Sequence, residues 1–87
     1  MNSTIDRIRK DIDKADRDLM DALRQRMRLA DEILQHKATL DIAGRDSHRE
    51  AEIVAGLINE YSPELSHSMI EKIYRIIFDE AIRRNLK

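Results

Sequence analysis

Residues 5–37 read IDRIRKDIDKADRDLMDALRQRMRLADEILQHK, a stretch with no glycine, no proline and no strand-like alternation. Its apolar side chains fall at Ile5, Ile8, Ile12, Ala15, Leu19, Ala22, Leu29 and Ile33. Counting position 26 as a member, the steps alternate between three and four, the seam of a helix that lies along another helix. Ser3 or Thr4 is expected to cap its start, and nothing breaks it before about Lys37 to Leu40. A helix from about residue 4 to 38 is roughly 50 Å long at ~1.5 Å per residue. A compact chain of 87 residues has a radius of gyration of about 12 Å and a diameter near 30 Å. The first helix therefore overhangs its own domain while its apolar seam continues. The simplest cover for that seam is a second copy of the chain, which gives an intertwined helical homodimer.

Outward from this helix, the period stays helical. A second helix is expected from Ser47 to Tyr61, with Ile53, Val54, Leu57 and Ile58 on one stripe and Pro63 of YSPELS as the stop. A third is expected over 66–86, started by Ser66 or Ser68, with Ile70, Ile73, Tyr74, Ile77 and Ala81 on one face. Aromatic residues are 3% of the chain, too few for an ordinary sheet protein. The fold class is all-α, three helices with a very long first one, in a single domain over 1–87.

Composition narrows the function. Sixteen Lys+Arg against 17 Asp+Glu leave a net charge of −1, with no bulk attraction for nucleic acid or anionic membranes. The absence of cysteine removes disulfide and thiolate chemistry and fits a reducing cytoplasm. No apolar run reaches the ~18 residues of a membrane span, and MNSTIDRIRKDID lacks the apolar core of a signal peptide. A small soluble cytoplasmic domain is expected.

Several charges sit where apolar residues belong. Arg26 interrupts the seam, and an unpaired buried guanidinium costs several kcal/mol. An interhelical salt bridge or a side chain snorkelling outward explains it without function; a bound anion explains it with one. Lys37 lies four residues after Ile33 near the helix end, where the macrodipole also favours a cation. Arg9 flanks the seam beside Ile8 and Ile12 and alone reads as surface. In GRDSHRE, residues 44–50, Ser47-x-x-Glu50 matches a capping box. Asp46 can cap instead, which frees Glu50 to face inward with Ile53 and Val54. Arg49 falls on the first turn, where the helix dipole disfavours a cation. Ile77, Ala81 and Asn85 share a face, and a terminal Asn commonly marks a fraying helix end. Arg9, Arg26, Lys37, Arg45 and Arg49 thus lie near apolar faces with one acid, Glu50, on a stripe. Such an excess of cations points to a small dicarboxylate ligand.

IRKDIDKADRDLMDALRQRMRLADEILQHKA, residues 8–38, resembles the first helix of the all-helical chorismate mutases (AroQ type). That family has an arginine near the helix start, an E/Q-R-x-x-L-A segment and a lysine eleven residues after its arginine. Here those are Arg9, QRMRLA with Arg26, and Lys37. The family's R-D-x-x-R-E segment is RDSHRE, Arg45 to Glu50, and the similarity extends to MIEKIYRIIFDEAIRRN of the third helix. The resemblance implies an intertwined homodimer that shares its active sites between chains and converts chorismate to prephenate by a Claisen rearrangement. It implies that Arg26 and Arg49 bind the substrate carboxylates, joined by Arg9 from the other subunit. Lys37 would donate to the ether oxygen, and Glu50 with the Asp46 backbone would accept from the ring hydroxyl. Arg45 is adjacent to this set and can be a surface partner only.

The reaction is intramolecular and needs no nucleophile, metal or redox cofactor, so His36, His48 and His67 are expected at the surface. Two positions depart from the family. The second donor to the ether oxygen is usually Gln or Glu, and Asn85 stands there, shorter by one C–C bond or about 1.5 Å. A hydroxyl residue often touches a carboxylate four positions earlier, and that position is Ala81. The same scaffold also hosts isochorismate pyruvate-lyase and mutases acting on 4-amino-4-deoxychorismate, and a non-catalytic helical dimer would explain the seam but not Arg26.

Overall fold

The structure, a computed structural model, describes residues 2–39 and 45–86, without the side chains of Ala38 and Thr39. Helix α1 runs Ser3–Thr39, α2 Ser47–Tyr61 and α3 His67–Arg83. The expectation of an all-α chain with a very long first helix is met. Gly44 and Leu40, which entered the sequence reading, lie outside the described residues.

Each helix start has a side-chain acceptor for its otherwise unpaired N–H groups. For α1 this is Asn2, not Ser3 or Thr4: its Oδ1 accepts from the backbone N–H of Thr4 at 3.0 Å and of Ile5 at 3.2 Å. Asp46 caps α2 by accepting from Arg49 N–H at 3.0 Å, which decides between the two caps that the sequence allowed. Ser66 caps α3 through Met69 N–H at 3.1 Å. The third helix ends earlier than the expected residue 86. Asn85 N–H bonds to Ile82 O at 3.1 Å and Leu86 N–H to Arg83 O at 3.3 Å, the i→i+3 pattern of a tightened last turn.

Helix α3 packs against both α2 and α1, whereas α1 and α2 make no direct packing contact among the described residues. Among the described residues the buried side chains are Ile70, Ile77 and Ala81, all on α3. Fully burying an Ile contributes about 1.5–3 kcal/mol, and among the described residues two are buried in this way. Helix α1 has 37 residues and is about 55 Å long at ~1.5 Å per residue. The molecule measures 59 × 26 × 16 Å with a radius of gyration of 16.8 Å, well above the value for a compact globule of this length. Along the overhang, Ile5, Ile8, Ile12 and Leu19 are 45%, 46%, 52% and 54% exposed, an apolar strip that the single chain leaves uncovered. Among the described residues no helix is long and apolar enough to cross a membrane.

Candidate active site

Among the described residues α1 and α2 pack on α3 and not on each other, and a cleft of about 320 Å³ lies between them. That is at the small end of the roughly 300–1,000 Å³ range of ligand pockets. Phe78, Ala81 and Ile82 of α3 form its floor. Helix α1 supplies Arg26, Ala30, Leu34 and Lys37, and the start of α2 supplies Arg45, Asp46, Arg49 and Glu50. Leu29 and Ile33 also line it yet stay 51% and 58% exposed, so the cleft is unroofed on that side.

Arg26 is half-buried, and its guanidinium carbon lies 5.4 Å from the ring centroids of both Tyr74 and Phe78. The two rings pack edge-to-face, with centroids 5.6 Å apart and planes at 62°. Cation–π attraction of about 0.5–2 kcal/mol thus holds the guanidinium in place while its N–H groups keep their donor capacity. Among the described residues Arg26, Lys37 and Arg49 have no carboxylate partner. Lys37 is half-buried in the last turns of α1, and Arg49 is exposed on the first turn of α2.

The remaining charges are paired. Arg45 donates to Glu50 twice, Nε to Oε2 at 3.0 Å and Nη2 to Oε1 at 2.9 Å, and its Nη1 reaches Asp79 Oδ1 of α3 at 2.8 Å. These bonds, that to Glu50 foremost, push the Arg45 pKa further above its usual range. Arg45 is therefore a bracket between the start of α2 and α3, and it fixes the Glu50 carboxylate at the cleft wall. A carboxylate has about four lone-pair positions, so Glu50 can still accept from a ligand hydroxyl. The Asp46 carboxylate caps α2, and its carbonyl accepts Glu50 N–H at 3.0 Å.

Two residues of the expected set lie outside the cleft of their own chain. Arg9 is exposed, roughly 26 Å along the α1 axis from Arg26. Asn85 is half-buried one helical turn beyond Ala81, and its Nδ2 donates to Asp31 Oδ1 at 2.7 Å and to Ala81 O at 2.8 Å. Sequence reasoning missed Phe78, Asp79 and Asp31. Phe78 lies four residues after Tyr74 and could have been found from that spacing; the two acids carry no periodic signal. Among the described residues no group of three or more His, Cys, Asp or Glu side chains is placed to hold a metal ion.

Fold and cleft define an all-α protein in which three cations, without a carboxylate partner among the described residues, line a cleft with Phe78, Ala81 and Ile82. The family model for chorismate mutase type II matches residues 8–86, and the chain belongs to that family, whose members are isomerases. No curated protein and no solved structure matches it.

Proposed function

We propose that this chain rearranges chorismate to prephenate in the cleft between α1 and α2. The observation that carries the reading is the division of charge. Arg26, Lys37 and Arg49 face one small cleft without a carboxylate partner among the described residues, while Glu50 there is already compensated by Arg45. A ligand with two carboxylates completes the three cations. Arg26 and Arg49 bind those carboxylates and hold the compact conformer in which the ends of the pericyclic array meet. Lys37 donates to the ether oxygen, where negative charge grows as the C–O bond breaks, so this contact strengthens in the transition state. Glu50 accepts from the ring hydroxyl. Its pairing with Arg45 favours a neutral hydroxyl over the ammonium of the amino analogue, since the carboxylate charge is already offset.

The unroofed side and the exposed strip of α1 support a second copy as cover. In that arrangement the partner subunit's Arg9 closes the cleft, and the apolar strips of two long helices bury each other. A cytoplasmic setting fits the cysteine-free composition.

Loss of chorismate absorbance tests the reaction, with isochorismate and 4-amino-4-deoxychorismate assayed in parallel. Chorismate is expected to be consumed fastest; faster turnover of either analogue reassigns the substrate. The assembly makes its own prediction. Light scattering should give twice the 10.2 kDa of one chain, and Leu19→Asp, which buries a charge in the strip, should split the pair and abolish turnover together. A wild-type protein of single-chain mass with full turnover rules out the shared site.

A further inference from the structure

The end of α3 is tied to α1 by a polar contact for which the reaction above has no use. Both N–H bonds of the Asn85 amide are committed, one to Asp31 and one to the Ala81 carbonyl. The second Asp31 oxygen takes Arg84, at 3.2 Å. A carboxylate only accepts, so Asp31 dictates which end of the amide turns toward α1: the NH₂, with the oxygen facing elsewhere. The contact is well shielded, because the Asp31 side chain is only 24% exposed. Asp31 adjoins Ala30, which lines the cleft, and Asn85 continues the α3 edge that Ala81 begins. Asn85 itself stands outside the lining of the cleft, with its amide taken by the Asp31 carboxylate and the Ala81 carbonyl.

We propose that Asp31 is a positioning residue that withholds the Asn85 amide from the ligand, so that Lys37 alone of the two donates to the ether oxygen. The inference rests on the chorismate reaction proposed above. With Asp31 removed, one N–H of Asn85 is released. The terminal torsion of Asn is broad, so the amide can swing toward the cleft. There it supplies a second donor to the oxygen that gains charge, an interaction stronger in the transition state than in the ground state. A fully aligned donor contributes on the order of a hundred- to a thousandfold. The short Asn side chain reaches less well, and roughly a tenfold gain in kcat is expected. A contact that merely anchored α3 would have the opposite sign, since cutting it would loosen the cleft floor and lower kcat.

The test compares Asp31→Ala, Asp31→Asn and the double variant Asp31→Ala/Asn85→Ala in the chorismate assay. Asp31→Ala should raise kcat about tenfold with KM changed less than twofold. Asp31→Asn keeps an oxygen for Asn85 Nδ2 and should stay closer to wild type. Adding Asn85→Ala to Asp31→Ala should erase the gain. An unchanged or lower kcat in folded Asp31→Ala, or a gain that survives loss of Asn85, overturns the proposal. The ¹⁵N–¹H signals of the Asn85 side chain in ligand-free wild-type protein read the contact without turnover and without any variant. Slow exchange of these protons supports the hold of Asp31, and exchange as fast as in a free amide overturns it. A wild-type protein that leaves chorismate untouched sinks the reaction assigned above, and the Asn85 exchange rate still decides the role of Asp31.

Discussion

Lys37→Ala is expected to lower kcat for chorismate by two to three orders of magnitude, with a much smaller change in KM. The reasoning starts from where charge moves. The substrate carboxylates are charged before and after the rearrangement, so contacts to them bind ground state and transition state alike and act mainly on KM. The ether oxygen is nearly neutral at the start and becomes electron-rich as its bond to the ring breaks. A donor held there gains energy during the reaction itself, about 2.7–4 kcal/mol for a preorganised one. Asn85, engaged by Asp31 and Ala81, is not expected to make up for the loss. Lys37→Arg should recover little, because the planar fork of Arg cannot place a single N–H where the compact ammonium puts one. Steady-state kinetics with the folded state checked by circular dichroism decide the matter; a kcat within tenfold of wild type removes Lys37 from the chemistry.

Arg26→Leu should give the second large effect, a fall of two to three orders of magnitude in kcat/KM in a protein at least as stable as the parent. Truncating one partner of a desolvated charged contact costs about 2–5 kcal/mol of binding. Stability moves the other way. Among the described residues Arg26 has no carboxylate to lose, and leucine restores the apolar seam at a half-buried position. The cation–π contacts with Tyr74 and Phe78 give back part of that gain, at about 0.5–2 kcal/mol. Urea unfolding and kinetics on the same sample measure both halves. A stabilised variant with unchanged turnover would mean that Arg26 serves the fold alone, as a helical adaptor would require.

Much of this architecture was legible because it is local. The three-four spacing of Ile5 through Ile33 is a property of one helix, and it foretold both the length of α1 and the uncovered strip. Ser66 and Asp46 were readable as caps for the same reason. Asn2 caps α1 instead of Ser3 or Thr4, and the three adjacent residues are all good caps, so spacing alone does not choose among them. The long-range partners were a different matter. Nothing in the order of residues says that Arg45 will reach Asp79, that Arg26 will lie against two rings of α3, or that Asp31 will take the Asn85 amide. Each pair joins different helices, and the crossing of those helices depends on how their side chains fit together. The cationic positions could be named from the spacing, while the partners that restrain them had to await the packing.

Among the described residues α1 and α2 pack on α3 and not on each other, which has a bearing on Ala81. Ala81 belongs to the helix on which both others pack, and it lines the same cleft as Lys37 and Arg49, like a shim between two jaws. Ala81 is one of the smallest side chains available and sits 6% exposed at that point. Interiors packed to crystal density transmit the bulk of even one added methylene. A serine or threonine there would contribute a hydroxyl only by thickening the shim. By that logic an alanine is the thinnest shim short of glycine.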